Sequence, residues 1–296
     1  MTTSQLIRAW VEAMRLRTLP VSAAGVVTAI ALARLHHCLR LTPALLCLAF
    51  ALLVQIASNF ANEYFDYRAG RDRVGREGPR RGVTEGDISP AAMLRATLIA
   101  LGAGCAVGLC VVPYAGWWLV GVGIAVALGV FAYSAGPYPL STHGWGEVAV
   151  VVFFGLVPVG LTYYICSGTM PAEVWRAALA VGLLGANVLI VNNYRDVDDD
   201  RAVGKRTLAV RLGRPAMRLL YGANGLASAA LMAPTWLAIS PWALAAPAAV
   251  AAASVAIALR MAHLDGHRLT PLLAATSLLM AAHALALLAA GLRLPT

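Results

Sequence analysis

Charge is scarce in this sequence. Asp, Glu, Lys and Arg make up 12% of the 296 residues and hydrophobic types 60%, whereas a soluble domain carries about 25% charged residues. That shortage excludes an ordinary water-exposed surface and a disordered chain alike. Lysine is reduced to a single residue, Lys205. The five cysteines (Cys38, Cys47, Cys105, Cys110 and Cys166) are odd in number and dispersed, with no C-x-x-C pair. Such a set excludes a disulfide framework and a thiolate zinc site, leaving them as small core residues. Nowhere do apolar and polar residues alternate with period two over long stretches, which excludes membrane-barrel strands. No A-x-A cleavage site accompanies the first apolar run, which starts after Arg15 and Arg17, so no removable secretory leader is expected.

What is present is apolar runs of spanning length. A hydrocarbon core of roughly 30 Å needs about 20 residues of helix. Nine candidates fit, at about 19–36, 42–62, 91–111, 115–135, 146–166, 172–193, 216–238, 241–261 and 271–291. Backbone groups in lipid must be satisfied within their own segment, so the expected fold is all-α. The basic residues test that layout. With the N-terminus in the cytoplasm, three fall in the N-terminal tail, seven around connection 2–3, seven around 6–7 and two around 8–9. Only Arg34, Arg40, Arg176 and Arg293 fall on the other side, a split of 19 to 4. This bias places the N-terminus inside and the C-terminus outside. The net charge of +9 is therefore a topology device, and its interleaving with carboxylates argues against nucleic-acid binding.

The 14 acidic residues are unevenly spread. Glu63, Asp66, Asp72, Glu77, Glu85 and Asp87 cluster at connection 2–3, and Asp196, Asp198, Asp199 and Asp200 at connection 6–7. Both clusters open on the pattern N-x-Y-x-D: NEYFD at 62–66 and NNYRD at 192–196. The matching positions predict an internal duplication, with pseudo-repeats at about 15–135 and 146–261 and a ninth helix at 271–291. Repeats of this kind often place the working site between the halves. If the second helix continues past its apolar run, Asn62 and Asp66 share one face a turn apart, and Asn192, Asp196 and Asp200 form a second stripe at i, i+4, i+8. Carboxylate and carboxamide oxygens are hard ligands suited to Mg²⁺ or Mn²⁺, and Mg²⁺ is commonly held together with substrate phosphates. Cations for phosphate lie nearby: Arg71, Arg73, Arg80 and Arg81 at the first cluster, Arg195, Lys205 and Arg206 at the second. The pattern predicts a metal–diphosphate site. In the VDDD run the i+4 register selects Asp200 over Asp198 and Asp199.

NEYFDYRAGRD together with NNYRDVDDDRAVGKRTLAVRLG resembles the paired Asp-rich motifs of the UbiA-type intramembrane prenyltransferases. Further stretches agree: LRTLP (16–20), GPRRGVTEGDIS (78–89), YSAGPYPLSTHGWGEVAVVVFFG (133–155) and RTLAVRLG (206–213). Within the superfamily the match is closest to the branch that prenylates 1,4-dihydroxy-2-naphthoate in menaquinone synthesis. The resemblance implies a polytopic bundle of nine transmembrane helices around a central cavity, two four-helix halves plus one helix, in a bacterial cytoplasmic membrane. It also implies Mg²⁺-dependent transfer of a polyprenyl group from its diphosphate to an aromatic acid. Carried over by position, Asn62, Asp66, Asp72, Asn192, Asp196 and Asp200 would hold Mg²⁺–diphosphate. Glu63 would join them, although relatives carry Asp there and its longer arm moves the oxygens. Arg17, Arg71, Arg81, Tyr133, Ser134, Lys205 and Arg206 would contact the diphosphate, with Asp66, Asp196, Tyr133, Lys205 and Arg206 the catalytic candidates. Thr84, where relatives often carry Gln, His143 and Glu147 are acceptor-side candidates.

Loss of diphosphate leaves positive charge on the prenyl C1, which aromatic faces stabilise by roughly 0.5–2 kcal/mol each. Tyr64, Phe65, Tyr67, Tyr133 and Tyr194 are candidates, each also readable as an interfacial belt residue. His263 and His267 are four residues apart but fall in a short connection beside Asp265. Three rivals remain: the same chemistry with 4-hydroxybenzoate, homogentisate or another aromatic; an isoprenoid cyclase; and a cation-coupled transporter, which would keep its ionisable residues near mid-membrane. The D-x-x-D-G-x-x-A-R signature of CDP-alcohol phosphotransferases is absent.

Overall fold

Uncharged runs of Ala, Gly, Val and Leu can satisfy their backbone in lipid only as helices. The computed structural model describes residues 2–293, and among them there is no strand. The helices are α1 (Thr3–Met14), α2 (Leu19–Leu35), α3 (Leu41–Arg68), α4 (Pro90–Leu109), the short α5 (Val112–Ala115), α6 (Trp118–Ser134), α7 (Gly146–Val150), α8 (Val157–Ser167), α9 (Ala172–Arg195), α10 (Val197–Ala202), α11 (Leu208–Ile239), α12 (Ala245–Met261) and α13 (Thr270–Arg293). A π-helical turn, Val151–Leu156, joins α7 to α8. Among the described residues seven helical stretches are long and apolar enough to cross a membrane, whereas α6 is a shorter apolar helix. The chain is an integral membrane protein.

Helix boundaries depart from the apolar runs where polar residues are helical. α3 does not stop at residue 62 but continues to Arg68, so NEYFD forms its last turns. α9 likewise carries NNYR to its end, and Asp196 caps it. α11 begins at Leu208, before the apolar run at 216, because Thr207 caps it by accepting the Val210 N–H. It breaks at Gly213, whose φ of 78° is open to glycine but strained for other residues. The unforeseen α1 is set off from α2 by Arg15 in a left-handed conformation (φ 51°) and packs Trp10 edge-on against Phe60.

α2 and α9 are central: most of their residues are buried, whereas most of those in α3 and α12 are not. Small residues make α2's position possible. Ala29, Ala31 and Ala33 are fully buried, and α2 packs against α3, α8, α9 and α13. Close approach without side chains is what binds helices where lipid removes the hydrophobic drive. The two helix pairs flanking the polar motifs, α3 with α4 and α9 with α11, pack along their lengths. At the π turn Gly155 meets α9 so closely that an added Cβ would lie 2.5 Å from Gly182 Cα.

That contact gives a stability prediction. Gly155→Val should wedge α9 away from the π turn at a cost of about 1–3 kcal/mol or more, seen as a lower melting temperature in detergent. An unchanged melting temperature would mean the helices are not held this closely.

Candidate functional site

The ends of α3 and α9 border the same space, which brings the two N-x-Y-x-D motifs to one end of a cavity of about 910 Å³. Asn62, Asp66, Arg76, Arg81, Asn192, Asp196, Asp200 and Lys205 line that end. The rest of the cavity is bounded by α2, α3, α6, α8 and α9, with Phe50, Val126, Phe153, Leu161 and Ile165 on its walls.

The carboxylates are tied across the halves by two cations. Arg76, from the α3–α4 loop, reaches Asp72 Oδ1 at 2.8 Å and Asp196 Oδ2 at 3.0 Å. Lys205, from the α10–α11 loop, lies 3.3 Å from Asp66 Oδ2 and 3.5 Å from Asp200 Oδ1. Each loop thus sends one cation to the other loop's motif. Arg195 grips Asp196 through Nε at 2.6 Å and Nη2 at 3.0 Å, and Nη2 also donates to Asn192 Oδ1. Arg71 lies 3.3 Å from Asp66 Oδ1. Arg15 Nη2 donates to Asn62 Oδ1 at 2.7 Å, while Asn62 Nδ2 donates to Ser134 Oγ at 3.0 Å.

Outside the membrane segments the electrostatics follow from burial against these partners. Burial raises the Asp72 carboxyl despite Arg76, and pushes Asp200 up to about 6 against the opposing charge of Lys205. Burial alone would lower Arg76, but Asp196 and Asp72 prevail and hold it above the ordinary range. Asp199 goes the other way. Burial pushes it up, yet the Glu77 N–H at 2.8 Å and the Arg73 guanidinium bring it below the usual carboxylate value. Asp199 therefore fastens one loop to the other, whereas Asp198 is exposed and pairs with Arg201 and Arg214. Asp200 is the member of the run that faces the cavity. The α9–α10 kink at Asp196 does not break its register, since Asp200 N–H still donates to the Asp196 carbonyl at 2.8 Å.

The other sequence candidates are distributed as follows. Tyr133 and Arg17 line the cavity, Arg17 being exposed at its mouth. Glu63, Asp72, Thr84, Ser134 and Glu147 are absent from its lining among the described residues. Glu63 is 1% exposed and accepts the Val83 N–H at 3.0 Å, holding the GPRRGVTEGDIS loop from behind. Ser134 is likewise buried, and its carbonyl accepts from Arg71. Glu147 accepts from Asn193 Nδ2 at 2.9 Å, and Thr84 Oγ1 has no hydrogen-bond partner. His143 stacks on Tyr138 and, with Arg71, Lys205 and the exposed Arg206, lines a smaller cleft of about 240 Å³. Of the five aromatics expected near the reacting carbon, Tyr133 alone lines the cavity. Tyr194 instead points its hydroxyl at the Met261 carbonyl at 2.9 Å. Arg76 and Arg15 were not foreseen as site residues. Arg76 stands four residues after Asp72, a spacing that could have signalled it.

No three carboxyl, imidazole or thiol groups among the described residues converge as a self-sufficient metal site. The donor chemistry nevertheless fits Mg²⁺ shared with a phosphate. Asp66, Asp196, Asp200, Asn62 and Asn192 offer only hard oxygens to one cavity, and single cations already bridge carboxylates of the two motifs. Mg²⁺ typically takes one or two carboxylates and completes its shell with water and substrate oxygens.

The description "UbiA prenyltransferase family" matches residues 22–271. The 1,4-dihydroxy-2-naphthoate octaprenyltransferase of Mycobacterium tuberculosis is 37% identical over 281 residues, covering 94% of each chain. The Escherichia coli protein of the same name is 39% identical over 221 residues, covering 72% of each. Among solved structures, a UbiA homologue from Archaeoglobus fulgidus bound to DMAPP and Mg²⁺ superposes with a TM-score of 0.65 at 16% identity, covering 95% of this chain and 99% of that one.

The crossed cations make a prediction. Arg76→Met removes the cation that Asp72 and Asp196 share, leaving Asp196 to Arg195 and Asp72 to Arg81, and losing a hydrogen bond to a charged group costs about 1.5–3 kcal/mol. The melting temperature should drop, and millimolar Mg²⁺ with inorganic diphosphate should restore more of it in the variant than they add to the wild type. Equal melting temperatures without ligand would show that Arg76 does not hold the halves together.

Proposed function

Because the chain belongs to the UbiA prenyltransferase family, we propose that it transfers a polyprenyl group from polyprenyl diphosphate to 1,4-dihydroxy-2-naphthoate, releasing diphosphate and CO₂ and giving demethylmenaquinol. The observation that carries this reading is the meeting of two Asn/Asp motifs, with cations between them, at the polar end of a deep apolar cavity. The name of the two bacterial relatives supports the naphthoate acceptor.

Asp66, Asp196, Asp200, Asn62 and Asn192 would hold Mg²⁺ (or Mn²⁺) with the diphosphate, Asp72 acting through Arg76. Bound there, the metal would neutralise charge on the leaving diphosphate. The chain's own cations serve the same end. Arg76, Arg81 and Lys205 face the cavity and would meet the phosphate oxygens there. As the C1–O bond breaks, its electron pair stays on diphosphate and positive charge develops at C1. The Tyr133 ring, at the polar end, supplies a π face to that charge. The apolar walls exclude water that would otherwise capture the cation. The electron-rich ring then bonds to C1, and the carboxylate departs as CO₂, leaving its bonding pair on the ring.

In the same reading residues 1–296 form one membrane domain in which all nine apolar segments span the bilayer, α6 and α11 included. Two related four-helix halves are followed by α13. The bias of 19 in 23 basic residues supports a cytoplasmic N-terminus and a site at the cytoplasmic face of a bacterial inner membrane.

The assay is purified chain with Mg²⁺, a polyprenyl diphosphate and a panel of aromatic acids. The expected product is a lipid-soluble prenylated naphthol, reduced at least a hundredfold in Asp66→Ala and in Asp196→Ala, about the loss on removing one essential electrostatic group. Excess EDTA should abolish it. Full activity in both variants or in EDTA would overturn the metal assignment, and sole use of another acid would overturn the acceptor.

A further inference from the structure

None of Thr84, His143 and Glu147, the acceptor-side candidates of the sequence, lines the main cavity among the described residues. Another set of polar side chains does. Thr18, Ser22, Gln55 and Asn59 all face the cavity from the α2–α3 wall. Asn59 is three residues before Asn62 and Gln55 seven, so by the helix rise they stand roughly 5 and 10 Å deeper than the diphosphate end. Polar groups at this depth are costly unless paired or facing a polar occupant.

Their hydrogen bonds fix what the wall can offer. Asn59 Nδ2 donates to the Met14 carbonyl at 2.9 Å and to Thr18 Oγ1 at 3.2 Å. Gln55 Nε2 donates to Thr18 Oγ1 at 3.2 Å and to Asn59 Oδ1 at 3.1 Å. Thr18 spends its own proton on the Arg15 carbonyl at 2.9 Å, and Ser22 spends its proton on Gln55 Oε1 at 3.2 Å. Every N–H and O–H of the network is committed. Gln55 Oε1 and Asn59 Oδ1 each accept one bond and, as carbonyl oxygens, can accept a second. This network of four therefore presents free acceptors and no free donor.

We propose that this wall is the binding surface for the aromatic acceptor, with Gln55 Oε1 and Asn59 Oδ1 accepting hydrogen bonds from the hydroxyl groups of a reduced, hydroxylated ring. The inference rests on the prenyl-transfer reading above and adds to it the residues that select the second substrate. The opposite wall is apolar (Val126, Phe153 and Leu161 from α6, the π turn and α8) and suits the prenyl chain. The two substrates then lie side by side, one turn from the diphosphate end. A network whose free positions are all acceptors also selects the ring's oxidation state, because a quinone or a methyl ether has oxygen but no proton to donate to Gln55 or Asn59.

The test compares a 1,4-dihydroxy acid with its analogue bearing hydrogen in place of one hydroxyl, using the full chain in detergent. For the wild type, kcat/KM should favour the dihydroxy compound by about threefold to tenfold, the worth of one net hydrogen bond. In Gln55→Met that preference should collapse towards one, while KM for the prenyl diphosphate changes less than twofold. A preference that persists in Gln55→Met, or a parallel rise in both KM values, would overturn the proposal and leave the network as helix–helix glue. Wild-type protein supplies an independent reading should the variant not fold. The bis-methyl ether of the acceptor should inhibit competitively at least tenfold more weakly than a non-prenylatable dihydroxy analogue. Equal inhibition overturns the proposal. Absence of prenylation with every aromatic acid defeats the prenyl-transfer reading and this proposal with it, whereas prenylation indifferent to hydroxyls defeats this proposal alone.

Discussion

The structure depends on an exchange of cations between two loops. Arg76 leaves the loop after α3 to meet Asp196 at the end of α9, and Lys205 leaves the loop after α10 to meet Asp66 in α3. A buried carboxylate without a partner is costly, and several gathered at one point repel one another. Clustering them at a membrane end therefore requires opposite charge. Each half supplies part of it, Arg71 to Asp66 and Arg195 to Asp196, and the crossed pair adds a cation that reaches its carboxylate only when both halves are in place. The Asp199 link to Arg73 and to the Glu77 N–H repeats the device one layer further out. The pairing also stores cations beside the carboxylates that would take a metal, so both charges of a metal–diphosphate have partners waiting.

From that end the cavity extends into a bundle made hollow by its packing. α2 and α9 approach their neighbours through alanine and glycine, and the π turn brings Gly155 onto Gly182. The same turn coincides with two consecutive phenylalanines, Phe153 and Phe154, both on the cavity wall, although neighbours in an α-helix point about 100° apart. Space for the Phe153 ring comes from Gly129 of α6, where an added Cβ would come within 2.6 Å of the ring. The hydrogen-bonded set Thr18, Ser22, Gln55 and Asn59 lies on the α2–α3 side, whereas Val126, Phe153 and Leu161 give the α6–α8 side a mainly apolar face.

Much of this was legible in the sequence. The nine apolar runs correspond to helices, because a run without charge has no other way to satisfy its backbone in lipid. The two pentapeptides were legible as one site because the same oxygen-bearing residues recur at matching helix ends, and the i+4 register separated Asp200 from Asp198 and Asp199. Other residues were not legible. Glu63 shares the first motif but turns to the Val83 N–H, since successive residues on a helix face different ways and its side belongs to the loop. Arg71 and Arg206 are near the motifs in sequence yet line the smaller cleft. Gln55 and Asn59 read as isolated polar residues in an apolar helix until α2 supplies Thr18 and Ser22 opposite them.

What the sequence determined by itself is local and repetitive: helix where charge is missing, membrane from length, metal and phosphate chemistry from paired oxygen-rich and basic motifs, and family from the combination. What the tertiary structure decided is which of those side chains meet. Arg76 with Asp196, Lys205 with Asp66 and Gln55 with Ser22 are separated by 120, 139 and 33 residues. No local periodicity encodes such pairings, because they depend on how close two helices pack and at what rotation. In this bundle that is set by glycines and alanines, whose own side chains carry no chemistry at all.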